Sequence, residues 1–170
     1  SNGRVEFGTG RSGTPYQLTP FGAELKDSRP MWEEALDIIP RMWTEEVFSH
    51  QGTYYDISPR EIIPKPVQDP HPPIWVAASQ VETFKMAGEK GIGALCFTLG
   101  EPGALGQRVQ TYRDGIANAK PVGKFINNQW LSTTMGHCGE DNKAARELAS
   151  ESLKVFFGPG KPYLQAQKDL

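Results

Sequence analysis

The sequence predicts an α/β fold with a parallel sheet and four consecutive βα units, and three observations carry that expectation. Short apolar runs, Ile74–Ala78 and Ala94–Thr98, are bounded by turn residues and suit strands buried on both faces. Segments with apolar residues at helical spacing follow them, giving the order β-α-β-α-β-α-β-α. Strict alternation calls for right-handed crossovers, in a doubly wound sheet or in part of a (β/α)8 TIM barrel. The third observation is length: 170 residues are too few for a closed barrel, which typically takes about 250. On the barrel reading this is a fragment of a longer protein, and a first residue Ser1 in place of methionine agrees.

Gly3-Arg4-Val5-Glu6-Phe7 reads as a short strand entering the glycine-rich turn Gly8–Gly13. Thr14–Gly22 holds two prolines and a glycine and is not expected to start a helix. Ser28 then caps a helix with Pro30 in its first turn and Trp32, Ala35, Leu36, Ile39, Met42 and Trp43 along one face. Pro40, inside that pattern, is expected to kink the last turn or end the helix early. Residues 44–73 are interrupted by Gly52 and six prolines and read as an irregular insertion, a candidate lid or part of a substrate mouth.

The strand Ile74–Ala78 feeds a helix for which Ser79 and Glu82 form an S-x-x-E capping box, Phe84 and Ala87 face inward, and Gly91 ends the last turn. After Ala94–Thr98 comes a helix carrying Leu105, Val109, Tyr112 and Ile116. A strand at about Trp130 to Met135 leads to a last helix with Ala145, Leu148, Leu153 and Phe156.

Composition narrows the function. With 38% apolar and 22% charged residues the chain is globular, and a net charge of −2 gives no basic footprint for nucleic acid. No apolar run approaches the ~20 residues of a membrane helix. Cys96 and Cys138 stand far apart in dissimilar contexts, so neither a disulfide framework nor a metal-ligand cluster is expected, and a reducing cytoplasm is the default location.

The opening turn carries the chemistry. Its glycines let backbone N–H groups approach an anion, and Arg11 adds a planar, permanently charged fork that matches phosphate. Gly8–Gly13 also spells G-x-G-x-x-G, but no helix opens at its last glycine and Glu33 falls within a later helix, so a dinucleotide fold is not supported. In either parallel architecture ligands bind beyond the C-terminal ends of the strands, which gathers Arg11 with the helix start at Ser79. That start offers free N–H groups, the positive end of a helix dipole and the hydroxyls of Ser79 and Thr83.

Other candidates carry less. His50, His71 and His137 are scattered on loops and read as surface or structural residues. Trp32 and Trp43 fit the helix core, Trp75 and Trp130 sit in strands, and Glu140-Asp141 fits a helix cap. Cys138 beside His137 does not make a nucleophile pair, because adjacent residues on a strand face opposite ways.

Taken in order, these residues resemble the bacterial luciferase-like flavin monooxygenases. The carriers are Gly3-Arg4 with Phe7-Gly8 and Arg11, then Glu34-Ala35-Leu36-Asp37-Ile38-Ile39 ending in Met42-Trp43-Thr44. Further carriers are Phe48-Ser49-His50-Gln51-Gly52 with Tyr54-Tyr55, Pro64-Lys65-Pro66-Val67-Gln68, and Pro72-Pro73-Ile74-Trp75-Val76-Ala77-Ala78-Ser79. The resemblance covers nearly the whole chain and implies a partial barrel domain over residues 1–170, holding strands four to seven.

The resemblance further implies a flavin phosphate gripped by the turns after the fourth and fifth strands. Arg11 and Ser79 match the family's phosphate arginine and serine, Thr83 lies close to a second hydroxyl position, and the backbone around Ser12, Gly13 and Gln80 supplies N–H donors. The cofactor is then reduced FMN, or a deazaflavin in one branch of the family, and the partners are O2, a small organic substrate and a separate flavin reductase, with homodimerisation admitted. Three functions compete: a flavin monooxygenase, a deazaflavin-dependent oxidoreductase on the same fold, and a non-catalytic flavin-binding protein. No catalytic residue is assigned.

Overall fold

The computed structural model describes residues 2–12, 14–98, 102–134 and 136–157. Two compact units divide the chain, Ser1–Arg11 with Arg29–Thr133, and Ser12–Ser28 with Thr134–Leu170. In chain order the elements are β1 (Phe7–Thr9), α1 (Pro15–Leu18), α2 (Ser28–Thr44), β2 (Phe48–Gln51), β3 (Asp56–Arg60), β4 (Ile74–Ala77), α3 (Val81–Glu89), β5 (Gly93–Phe97), α4 (Pro102–Ile116), β6 (Trp130–Thr133) and α5 (Asn142–Phe157), with short 3-10 turns at Thr19–Phe21 and Leu25–Asp27.

In the first unit β1, β4, β5 and β6 form one parallel sheet in that spatial order, so the expected βα alternation is present. Spatial order follows chain order throughout, and the reversal that marks a doubly wound sheet is missing among the described strands. Alternate residues face opposite ways. Ile74, Val76, Ala94 and Cys96 point one way into the core with Leu36 of α2, Phe84 and Ala87 of α3 and Tyr112 of α4. Trp75, Leu95 and Phe97 take the other face, where Phe97 and Leu131 remain 47% and 55% exposed.

Helices α3 and α4 cross at two glycines. A Cβ on Gly115 would sit 2.8 Å from the Lys85 carbonyl and 3.1 Å from the Gly88 Cα, so the backbones touch. Past Glu89 the chain stops as a Schellman motif: Gly91 adopts φ 65°, its N–H donates to the Gly88 carbonyl at 3.0 Å, and the Ile92 N–H donates to the Ala87 carbonyl at 3.0 Å. That turn swings the chain into β5, as the glycine at 91 led one to expect.

Four local expectations are corrected. Helix α3 begins at Val81 with Gln80 as its N-cap and no side-chain cap, so the Ser79–Glu82 capping box does not form. Ser28 lies inside α2 directly after the 3-10 turn, and its hydroxyl donates to the Leu25 carbonyl at 2.8 Å instead of capping. Pro40 does not end α2, which continues to Thr44, whose hydroxyl donates to the Pro40 carbonyl at 2.9 Å. Pro15, expected to block a helix, opens the single turn α1, where a missing N–H costs nothing.

The 44–73 segment is more ordered than an irregular insertion suggests. It contains the antiparallel β2–β3 hairpin and then runs along the edge where the sheet strands begin. Lys65 Nζ donates to the Met42 and Glu45 carbonyls at 2.8 and 2.6 Å, capping the end of α2. The Gln68 amide bonds both backbone groups of Val5, at 3.1 and 2.9 Å, just ahead of β1. His71, buried before β4, accepts the Lys124 N–H on Nε2 at 2.9 Å, which leaves Nδ1–H to donate to the Pro72 carbonyl at 2.8 Å. An αβ connection must return the chain to the N-terminal ends of the strands, opposite the edge where ligands bind.

In the second unit the Asp141 carboxylate accepts the Ala144 N–H at 2.8 Å and caps α5, as the acidic pair suggested.

Candidate functional site

The C-terminal edge of the sheet sets the positions of the expected phosphate ligands. Strands β1 and β4 are parallel neighbours, with Gly8 opposite Trp75 and Thr9 opposite Val76. The Thr9 hydroxyl locks that register by donating to the Trp75 carbonyl at 2.8 Å. Beyond the ladder the two chains stay side by side, since a Cβ on Gly10 would lie 3.7 Å from the Ala77 Cβ. Arg11 is the second residue after β1 and Ser79 the second after β4, so both leave adjacent strands at one edge, and both are exposed.

The absence of a side-chain cap on α3 shapes the electrostatics there. The Thr83 and Phe84 amides bond the Gln80 carbonyl at 3.1 and 3.2 Å, while the Val81 and Glu82 amides have no acceptor among the described residues. Such amides at the positive end of a helix dipole attract an anion. Ser79 and Gln80 are exposed and Thr83 is half-buried, so their polar groups border the same turn. Glu82 lies exposed in that first turn and complements the same dipole.

Ser12 behaves differently. Its hydroxyl accepts the Thr14 N–H at 3.1 Å and donates to Gln17 Oε1 at 2.6 Å, so it is engaged in a local turn within the second unit. Gly13 lies outside the described residues. The donor set of Arg11, two hydroxyls and unbonded amides fits a phosphate monoester, and it fits no transition metal, which needs nitrogen, thiolate or carboxylate ligands.

Sequence reasoning missed the residues that hold the opposite edge. Lys65 and Gln68 lay in view between Pro64, Pro66 and Pro70, and a long polar side chain held between prolines is the signal that was available. Asn127 is buried and donates from Nδ2 to the Ile74 carbonyl at 3.1 Å, tying the approach of β6 to β4. No periodicity announces it.

A family model described as luciferase-like monooxygenase matches residues 1–168. The chain belongs to that family. Among characterised relatives of this luciferase-like chain is an F420-dependent glucose-6-phosphate dehydrogenase of Amycolatopsis mediterranei, 27% identical over 126 residues, which are 72% of this chain and 35% of the relative. The oxygenase component of a flavin-dependent trigonelline monooxygenase of Acinetobacter baylyi is 28% identical over 93 residues, 54% of this chain and 26% of the relative. The oxygenating constituent of 3,6-diketocamphane monooxygenase of Pseudomonas putida, solved in complex with FMN, superposes with TM-score 0.71 at 19% identity, covering 97% of this chain and 51% of that one. This chain therefore spans about half the length of that structure, and its parallel sheet is part of a luciferase-like TIM barrel. Among the described residues no helix is long and apolar enough to cross a membrane.

Proposed function

We propose that the protein is the oxygenating component of a flavin-dependent monooxygenase acting on a small organic substrate, with reduced FMN delivered by a separate reductase. The observation that carries this reading is the adjacency of β1 and β4, which brings the Arg11 turn and the uncapped start of α3 to one edge of the sheet. In this reading the Arg11 guanidinium forks onto two phosphate oxygens, and the Ser79 and Thr83 hydroxyls with the amides of Gln80, Val81 and Glu82 take the others. Bound there, a reduced flavin supplies the activation of O2 that this chain's own side chains lack.

The protein's task is to fix the phosphate, orient the ring and keep water from it. A cytoplasmic location agrees with two free cysteines, Cys96 buried and Cys138 exposed.

A second reading is a deazaflavin-dependent oxidoreductase that transfers hydride without oxygen, favoured by the F420-dependent relative matched over 72% of the chain. Reconstitution of the full-length protein separates the two. The monooxygenase reading expects FMN binding and substrate-dependent oxygen consumption when a flavin reductase is supplied. Binding of F420 alone, with no oxygen uptake, defeats it in favour of the second reading. Tight FMN retention without turnover on any substrate leaves a flavin-binding protein.

A further inference from the structure

The geometry points to Glu34 as a proton-released latch, whose carboxylate holds the β2–β3 hairpin on helix α2 and lets it go when protonated. Glu34 lies midway along α2, and the turn between β2 and β3 closes around it. The Thr53 N–H donates to Oε2 at 3.2 Å, the Tyr54 N–H to Oε2 at 3.1 Å and the Tyr55 N–H to Oε1 at 2.9 Å. His50 Nε2 meets Oε1 at 3.0 Å. Three successive backbone amides turned inward form an anion nest of the kind that binds phosphate or carboxylate ligands. Here the protein's own helix supplies the anion.

The turn is shaped to that carboxylate. A Cβ on Gly52 would overlap both Glu34 Oε1 and His50 Nε2, so a larger residue there would push those side chains from their present places in the turn. A lone two-stranded hairpin is marginal in water and relies on what it packs against. At its base Phe48 is fully buried, with the Arg41 guanidinium 5.0 Å from its ring centre and Arg41 Nη2 donating to the Ser49 carbonyl at 3.1 Å. At its tip Glu34 accepts the N–H groups of Thr53, Tyr54 and Tyr55. The base is thus held by burial and a cation, and the tip shares a negative charge.

Protonation reverses the tip's chemistry. The three backbone neighbours of the carboxylate are all donors, so a carboxylic O–H turned toward them would find no acceptor for its proton. Among the described residues His50 is the titratable side chain that meets Glu34, and whether its Nε2 donates or accepts there follows its tautomer. Burial is the largest single influence on Glu34 and pushes its pKa up, but the bonds from His50, Tyr55, Tyr54 and Thr53 together outweigh it and leave the carboxyl below its ordinary value. A depressed carboxyl contributes above the ordinary carboxylate range and is lost as pH falls through its lowered value, so docking is complete at neutral pH and fails in acid. The latch uses none of the proposed phosphate ligands, so it stands whether or not a flavin binds.

Hydrogen–deuterium exchange on the full-length protein tests it, with protection factors for residues 53–55 followed from neutral pH into acid. In the unsubstituted protein, tip protection is expected to fall before that of β4, α3 and α4. Glu34→Gln should lower tip protection about tenfold or more at neutral pH and abolish its acid dependence, leaving the core unchanged. Tip protection retained in Glu34→Gln overturns the latch, as does simultaneous loss of tip and core in acid. If Glu34→Gln does not fold, the acid titration of the unsubstituted protein decides by itself.

Discussion

Replacing Gly88 by alanine should destabilise the protein, against the usual sign for glycine inside a helix. Alanine in a helix interior gains about 0.8–1.0 kcal/mol over glycine. At Gly88, however, the new methyl would collide with the Tyr112 carbonyl oxygen and lie 3.0 Å from both the Gly115 Cα and the Ile116 nitrogen. These are backbone atoms of α4 and cannot rotate away, so the helices must separate and loosen the packing of Phe84, Ala87 and Tyr112. Overpacking of this kind costs about 1–3 kcal/mol, and with three backbone neighbours the upper end applies, for a net loss of about 2 kcal/mol. In a domain of this size that lowers Tm by about 4–8 °C. Gly106, also in α4, is the internal control, because a Cβ there meets nothing within 4 Å and Gly106→Ala should stabilise by about 1 kcal/mol. Urea unfolding of both variants reads the difference, and a Gly88→Ala protein as stable as the Gly106→Ala protein would refute the close helix crossing.

Further outcomes follow from single groups. Tyr112 is fully buried, and burial pushes its hydroxyl pKa up to about 12, so its contribution holds below pH 10 and is lost as pH rises toward 12. A two-unit shift is worth about 2.7 kcal/mol, and Tyr112→Phe should flatten that alkaline loss in denaturation measured across the range. Gln68→Ala should cost about 1 kcal/mol in the same assay and raise amide exchange at Val5, since it removes bonds to both backbone groups of that residue. Glu82→Gln removes a carboxylate from the first turn of α3 and should tighten FMN binding by up to about fivefold, about 1 kcal/mol at low salt, measured by titration.

How far the sequence could be read depended on the range of the interactions involved. Apolar runs at 74–78 and 94–98 announced β4 and β5, because a strand buried on both faces has no polar residue to disguise it. Gly91 announced the end of α3 for an equally local reason: a positive φ is cheap only for glycine. What failed was longer in range or subtler by one residue. Ser79 and Glu82 satisfied a capping pattern, yet the helix begins at Val81 and the N-cap falls one residue later than expected, on Gln80, leaving the serine outside it. Prolines in 44–73 suggested an irregular insertion and gave no sign that Lys65, Gln68 and His71 fasten that segment through bonds to residues 20 to 63 positions away, which no local pattern reveals. His50 read as incidental because its partner Glu34 stands 16 positions earlier on another element. The proposed phosphate site was legible as chemistry, an arginine in a glycine turn and a helix start, and the parallel pairing of β1 with β4 puts both turns at one edge.

The flavin reading stands or falls on whether Arg11 and the start of α3 serve one phosphate. Its most direct test compares FMN with riboflavin, which lacks that phosphate, by fluorescence titration of the full-length protein and its Arg11→Ala and Ser79→Ala variants. The predicted result is FMN affinity weakened about 10- to 100-fold by Arg11→Ala and several-fold by Ser79→Ala, non-additively in the double variant, with riboflavin affinity unchanged throughout. Equal losses for FMN and riboflavin, or no loss for either, would contradict it.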